Sequence, residues 1–149
     1  MSTADEMEPI SRPFHWNLLF AAWLMASVAT LGALFFSEVM QRTPCVLCWY
    51  QRIFMFPLVF VLGAGLLPFD PRSVRYALPL AVTGWGFALY HCLLYMGFIP
   101  KSLQPCTQGL SCADVKLELF SFVTIPLLSL LAFTLIIALL WAVRKGIKQ

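Results

Sequence analysis

Two pairs of cysteines are the residues of this 149-residue chain whose type and spacing are best suited to chemistry. Cys45 and Cys48 form a C-x-x-C motif, and Cys106 and Cys112 form a wider pair. Closely spaced cysteines exchange disulfides through the thiolate form, and they also bind zinc. The surrounding sequence and the compartment that it implies distinguish between these two uses.

The composition places both pairs in a membrane protein. The chain is 60% hydrophobic and 11% charged, whereas soluble domains are about 45–50% apolar and about 25% charged. A membrane span needs about 20 apolar residues, and four such stretches lie at about 16–37, 46–67, 74–96 and 119–143. We therefore predict an all-α membrane protein, a four-transmembrane-helix bundle over residues 16–143. Pro57, Pro79 and Pro126 fall inside three stretches and are interpreted as kinks.

The distribution of Lys and Arg predicts the orientation of the bundle. Six basic residues lie in the tails and the middle turn, and three lie on the opposite side: Arg12, Arg72, Arg75, Arg144, Lys145 and Lys148 against Arg42, Lys101 and Lys116. Cytoplasmic loops carry the positive excess. We expect cytoplasmic tails at 1–15 and 144–149, and periplasmic loops at about 38–45 and 97–118, in a bacterial inner membrane. The net charge of +3 forms no basic stripe, which argues against nucleic-acid binding.

A cleaved signal peptide is the alternative interpretation of the first apolar stretch. The segment Ser27-Val28-Ala29 resembles a small-residue cleavage site. Three acidic residues precede Arg12, however, and apolar residues continue through Phe36. We therefore expect a span that stays in place.

The sequence around the first pair favours redox chemistry. Thr43 suits an N-cap and Pro44 the first helical position, which would place Cys45 and Cys48 in the first turn of the second helix. The helix N-terminus stabilises a thiolate. Arg52 follows Cys48 by four residues, so it shares that helix face and adds a permanent positive charge.

The second pair lies in the longer outer loop. A disulfide between Cys106 and Cys112 would close a small ring, worth about 2 kcal/mol against nearly 5 kcal/mol for a hundred-residue loop. Stabilisation of the fold is thus a weak reason for a disulfide at this position. Gly109 makes the segment deformable, so we interpret it as an exchange pair that a soluble partner can reach.

His91 is the third candidate functional group. It lies near the outer end of the third span, and Cys48, Arg52 and His91 should all be within roughly 12 Å of the outer helix ends. Ionisable residues in a membrane are costly and are functional candidates by default. The three could line one pocket, although a carbonyl or interfacial water could equally satisfy the histidine. Cys92 is interpreted as a small apolar filler.

Two other interpretations of the cysteines stay open. All four could bind zinc, although Cys106 and Cys112 lack the short ligand spacing typical of structural zinc sites. We assign no metal on this basis. The chain could also be a non-enzymatic four-helix membrane protein with two structural disulfides.

The segment Cys45-Val46-Leu47-Cys48-Trp49-Tyr50-Gln51-Arg52 resembles the signature of the DsbB family of disulfide bond formation proteins. Four spans, the loop pair Cys106 and Cys112, His91 in the third span and the stretch Thr124-Ile125-Pro126 support the resemblance. It covers nearly the whole chain from Trp16 onward.

The resemblance implies a protein-disulfide oxidoreductase that reduces quinone. Cys106 and Cys112 would oxidise a thioredoxin-fold partner similar to DsbA, with Cys106 forming the mixed disulfide. Cys45 and Cys48 would re-oxidise the loop pair and pass electrons to ubiquinone or menaquinone, and so to the respiratory chain. The resemblance also implies that Cys48 lies next to the quinone, that Arg52 helps to bind it, and that His91 contacts it.

Three further features bear on this expectation. The loop cysteines are closer together than in the best-known enterobacterial members, as in the shorter BdbC-type branch, which leaves open whether the partner is general or dedicated.

Vitamin K epoxide reductase-like proteins also have two cysteine pairs, but their C-x-x-C lies near the chain end. Finally, the chain has neither a Gly-rich dinucleotide motif nor a C-x-x-C-H haem site, which leaves a lipid-soluble acceptor as a reasonable expectation.

Overall fold

Four long helices make up most of the chain that the structure describes. The computed structural model describes residues 11–41, 44–100 and 125–147. In it, α1 spans Ser11–Leu34 and continues as a π-helix over Phe35–Val39, α2 spans Val46–Leu66, α3 spans Ser73–Tyr95 and α4 spans Ile125–Ile147. These three described ranges contain no strand.

Each helix contains a segment long and apolar enough to cross a membrane. These segments are Pro13–Val39, Val46–Leu66, Ser73–Tyr95 and Ile125–Gly146. The predicted all-α, four-helix membrane architecture is therefore confirmed. Pro57 and Pro79 lie inside continuous helices, as neighbouring helices in a bundle allow.

The helices pack in a ring in which α1 and α3 each contact both α2 and α4. The buried core contains many alanines, among them Ala22, Ala26, Ala77 and Ala81. Small residues let helix backbones approach closely in a membrane. One close approach is between α3 and α4, where a Cβ on Gly84 would overlap the ring of Phe133.

A tight turn joins α2 to α3 at the end of the bundle away from the cysteines. The Asp70 N–H donates to the Gly65 carbonyl at 2.9 Å, and the Asp70 carboxylate accepts from the Arg72 N–H at 2.9 Å. At the same end, a Cβ on Gly146 of α4 would overlap the ring of His15 of α1. The start of α1, the turn and the end of α4 therefore lie together.

The opposite end of the bundle contains the cysteine pair. The aromatic rings of Tyr50 and Phe54 on α2 stack on Phe87 of α3, with centroid distances of 5.2 and 5.5 Å. These stacks hold the first turns of α2 against the last turns of α3. As a result, Cys45 and His91 meet.

The end of α3 is fixed shortly after His91. Gly97 has a φ of 80°, a left-handed conformation that suits glycine at a helix C-terminus. The Phe98 N–H donates to the Leu93 carbonyl at 3.1 Å. This hydrogen-bonded helix terminus keeps the last turns of α3 helical through the segment that bears His91.

Candidate redox site

Cys45 caps the helix that carries the first cysteine pair. It has an extended backbone, with a φ of −69° and a ψ of 166°, and its sulfur accepts a hydrogen bond from the Cys48 N–H at 3.3 Å. The prediction that Pro44 begins the helix was wrong, because the helix begins at Val46. The predicted cap, Thr43, lies outside the described residues, and the structure shows that Cys45 caps the helix instead. The thiol itself therefore satisfies an N–H group of the first turn.

The two sulfur atoms of the pair lie 2.8 Å apart in the dithiol form. Cys45 is buried and Cys48 is half-buried. Leu47 and Leu94 pack with Cys45 in a small apolar cluster separate from the main core. This arrangement brings the sulfurs close enough for one thiol to donate to the other, and it leaves Cys48 as the more accessible of the two.

His91 lies against Cys45 and is oriented by Gln51. Its Nε2 atom is 3.8 Å from the Cys45 sulfur, and its Nδ1 atom is 3.1 Å from the Gln51 amide nitrogen. Because that amide nitrogen donates, Nδ1 accepts, and the neutral ring carries its proton on Nε2. The proton is thus directed at the Cys45 sulfur. Gln51 and His91 are both buried, so each satisfies a polar group of the other.

These contacts lower the pKa of Cys45, which precedes the membrane-spanning segment Val46–Leu66. The hydrogen bond from the Cys48 side chain is the largest cause. Burial opposes this effect, and the hydrogen bond from His91 adds to it. A thiolate is the species that attacks disulfides, so the site favours the reactive form of Cys45.

Arg52 links α2 to the end of α1. Its Nη2 atom donates to the Ala33 carbonyl at 2.6 Å, and its guanidinium carbon lies 5.6 Å from the centre of the Trp49 ring. Ala33 lies just before the π-helix, a feature that often occurs at functional sites. These two contacts hold the guanidinium close to the cysteine pair.

A cavity of about 540 Å³ opens beside the pair, between α1, α2 and α4. Most of its wall is apolar, including Met25, Val28 and Leu128. Its larger polar groups come from the start of α2 and include Gln51 and Arg52, and the wall also contains both cysteines of the pair. The cavity thus has an apolar body with a polar, thiol-bearing region at one end.

The structure brings together three of the predicted site residues on this cavity: Cys45, Cys48 and Arg52. His91 lies behind Cys45 and is not part of the cavity wall. The predicted exchange pair, Cys106 and Cys112, lies outside the described residues.

Sequence reasoning missed Gln51 as a site residue. It lies three positions after Cys48, and therefore on the same helix face. A polar residue on that face of an apolar helix was the available signal.

The pair and His91 also form a possible ligand set for a metal ion. The ligand atoms of Cys45, Cys48 and His91 all lie within 4.8 Å of one another. Thiolate sulfur and imidazole nitrogen are the ligands that zinc prefers. The predicted redox residues therefore coincide with a metal-binding constellation.

Comparison with known proteins identifies the family. Residues 15–143 match the family model described as "Disulfide bond formation protein DsbB". The chain is 48% identical to "Probable disulfide formation protein" of Metapseudomonas resinovorans, over 93% of this chain and 97% of that protein. It is 43% identical to "Disulfide bond formation protein C" of Bacillus subtilis, over 88% of this chain and 94% of that protein. No solved structure matches the chain. The resemblance seen in the cysteine motif is thus confirmed, and the chain belongs to the DsbB family of disulfide bond formation proteins.

Proposed function

We propose that the chain is a thiol:quinone oxidoreductase that oxidises a periplasmic thioredoxin-fold dithiol partner similar to DsbA. The observation that supports this most strongly is the position of the cysteine pair. Cys48 is half-buried on the wall of an apolar cavity, and Arg52 lies on the same wall. Two electrons that reach this pair can therefore pass to a lipid-soluble acceptor bound in the cavity.

The thiol steps balance without any further reactant. The partner dithiol attacks the disulfide of Cys106 and Cys112, passes through a mixed disulfide at Cys106, and leaves as a disulfide. The loop pair, now a dithiol, reduces the disulfide of Cys45 and Cys48 in the same way. Each exchange moves two electrons and two protons to the next pair.

The cavity residues fit a quinone. Its apolar wall suits a prenyl tail, and the guanidinium of Arg52 suits a ring carbonyl oxygen. When bound, ubiquinone or menaquinone would accept two electrons and two protons and deliver them to the respiratory chain. Arg52 would hold and polarise that oxygen, and the side chain of Cys48 lies on the same wall.

His91 contributes on the side of Cys45 away from the cavity. The imidazole Nε2 proton points at the Cys45 sulfur, so it stabilises a thiolate there during exchange with the loop pair. In this proposal His91 acts on Cys45 and does not contact the quinone. Gln51 keeps the ring in that orientation.

The proposed location is a bacterial inner membrane with both termini in the cytoplasm. The Lys and Arg distribution supports this orientation. The structure adds that the start of α1 and the end of α4 lie together, at the end of the bundle away from Cys45. The cysteine pair would then face the periplasm, an oxidising compartment.

A single-turnover experiment tests the quinone step by itself. A variant carrying Cys106→Ser, Cys112→Ser and Cys92→Ala keeps Cys45 and Cys48 as its only thiols. Anaerobic addition of quinone to the reduced variant should remove two free thiols per chain and form one quinol. Unchanged thiols, in a protein with wild-type helical content, would contradict the proposal and favour a structural role for the pair.

A further inference from the structure

The ligand atoms of Cys45, Cys48 and His91 come close to the geometry of a zinc site. With Zn–S bonds of about 2.3 Å and Zn–N bonds of about 2.0–2.1 Å, two ligands of a tetrahedral ion lie about 3.5–3.8 Å apart. The Cys45 sulfur and His91 Nε2 are 3.8 Å apart. Two of the three ligands therefore lie within about 0.3 Å of the sulfur–nitrogen spacing in a tetrahedral zinc site.

The third ligand needs only a small movement. The two sulfurs are 2.8 Å apart, about 1 Å closer than in a tetrahedral site. Rotation about the Cys48 Cα–Cβ bond must also keep its sulfur facing Nε2 of His91, which lies within 4.8 Å of it. Cys45, which caps the helix, can stay where it is.

His91 can serve as a metal ligand once the Gln51 amide has turned. Metal ligands of this type use one ring nitrogen for the metal, while the other is held by a hydrogen-bonding partner. Nε2 faces the sulfurs, but it carries the proton while the Gln51 amide nitrogen donates to Nδ1 at 3.1 Å. Metal binding through Nε2 therefore requires the other tautomer, in which the Gln51 amide turns and its oxygen accepts from Nδ1–H. Two thiolates and a neutral imidazole also neutralise a divalent ion, which suits a buried position.

We infer that the reduced form of this pair binds one thiophilic divalent ion, such as Zn²⁺, through Cys45, Cys48 and His91, and that the bound ion blocks oxidation of the pair. Both sulfurs bind as thiolates, so metal binding releases any proton that a thiol still carries and changes no oxidation state. A disulfide between Cys45 and Cys48 removes both sulfur ligands, so metal binding and the oxidised state exclude each other. The inference does not depend on the identity of the electron acceptor.

This site differs from a four-cysteine zinc cluster. Its three protein ligands leave the fourth coordination position open, as in catalytic rather than structural zinc sites. The ion would consequently act as a reversible inhibitor that holds the pair in the dithiol form. It would not be needed for folding.

Cobalt(II) provides a spectroscopic test in the full-length chain. The reduced protein, freed of reductant, is titrated anaerobically with Co²⁺ in detergent micelles, and Zn²⁺ is then added to displace it. We expect one Co²⁺ per chain, with a sulfur-to-cobalt charge-transfer band of the intensity given by two thiolates. The oxidised protein should show no such band.

Variants identify the ligands. His91→Ala should weaken Co²⁺ binding by at least about tenfold and change the d–d bands, whereas Cys92→Ala, at the buried neighbouring position, should leave binding unchanged. A Cys106→Ser/Cys112→Ser variant should still bind one ion.

Several outcomes would overturn the inference. They are an absent band in the reduced wild type, equal binding by the oxidised protein, undiminished binding by His91→Ala, or a requirement for Cys106 and Cys112. The wild-type spectrum decides the number of thiolates even if His91→Ala fails to fold.

Discussion

Arg52 of α2 donates a hydrogen bond of 2.6 Å to the carbonyl of Ala33, at the end of α1. The guanidinium therefore joins two helices of the cavity wall while presenting a permanent charge to the cavity. This contact gives Arg52 two separable roles. One is electrostatic, toward a bound acceptor, and the other is structural, between α1 and α2.

Replacing Arg52 with Met should weaken quinone binding. The change keeps much of the apolar length but removes a partly buried charge, which is worth about 1.5–3 kcal/mol, or roughly ten- to hundredfold in apparent affinity. Arg52→Lys should keep only part of the wild-type quinone affinity, because the ammonium group is a point charge and lacks the planar fork of the guanidinium. The measurement is the rate of partner oxidation at several quinone concentrations.

Arg75→Met is the matched control for Arg52→Met, because Arg75 is exposed on α3. Thermal unfolding of each variant separates loss of the Ala33 contact from loss of quinone affinity. Wild-type kinetics in Arg52→Met would show that Arg52 serves only to join the two helices.

The contact between Gln51 and His91 should control the orientation of the imidazole. In Gln51→Leu, Nδ1 of a buried ring loses its donor, at a cost of about 1–3 kcal/mol. The ring is then free to turn away from Cys45, and exchange between the two cysteine pairs should slow. In Gln51→Glu the carboxylate can only accept from Nδ1–H, so the neutral ring loses the Nε2 proton that faces Cys45 and exchange should be slow as well.

The exchange rate is measured by stopped-flow after mixing with reduced partner. Gln41→Leu is the control, because Gln41 is an exposed glutamine whose amide donates to the Glu38 carbonyl and not to His91. If Gln51→Leu and Gln41→Leu exchange equally fast, the orientation argument fails.

The lowered pKa of Cys45 predicts a shallow pH dependence of the reduction potential of the pair. If Cys45 stays a thiolate above its lowered pKa, reduction takes up one proton per two electrons, and the potential falls by about 30 mV per pH unit as pH rises. Two ordinary thiols, with pKa values of about 8.5, would take up two protons and give about 60 mV per pH unit.

Equilibration with glutathione buffers between about pH 5.5 and pH 7.5, well below the ordinary thiol pKa, measures this slope in the Cys106→Ser/Cys112→Ser variant. Removing the contact of His91 should raise the Cys45 pKa, so His91→Ala should steepen the slope at the acidic end. A slope of about 60 mV per pH unit in the protein with His91 intact would contradict the lowered pKa.

The close approach of α3 and α4 predicts opposite effects for two glycines on one helix. A Cβ at Gly84 overlaps the Phe133 ring, whereas a Cβ at Gly86 meets open space. Gly84→Ala should destabilise the bundle by about 1–3 kcal/mol through overpacking. Gly86→Ala should leave it unchanged or stabilise it by up to about 1 kcal/mol, because alanine favours helix. Reversible unfolding in mixed micelles measures both, and equal stabilities would show that the α3–α4 contact is looser than described.

The four spans could be predicted because apolar composition over about 20 residues is sufficient to indicate a membrane helix. The ends of the helices were less predictable. Thr43 and Pro44 have the residue types of a cap and a first turn, but the extended conformation of Cys45 lets its own sulfur take the capping position. A local propensity cannot anticipate a thiol that competes with the usual capping side chains.

The candidate site was predictable where its residues are neighbours in the sequence. Cys48 and Arg52 share a helix face by spacing alone, and both line the cavity. The contacts of His91 with Cys45 and of Arg52 with Ala33 join different helices, so they depend on how those helices pack. No local pattern contains that information, so the sequence could place His91 only near the outer helix ends, and its position behind Cys45 comes from the structure.

The most direct test of the account is the stoichiometry of the complete relay. Wild-type chain in membrane vesicles, supplied with a reduced thioredoxin-fold partner and excess quinone, should form one quinol for every partner disulfide. Cys48→Ala and Cys106→Ala should each stop both reactions, and Cys92→Ala should stop neither. Partner oxidation without quinol formation, or quinol formation that continues in Cys48→Ala, would contradict the proposal that electrons leave through this pair.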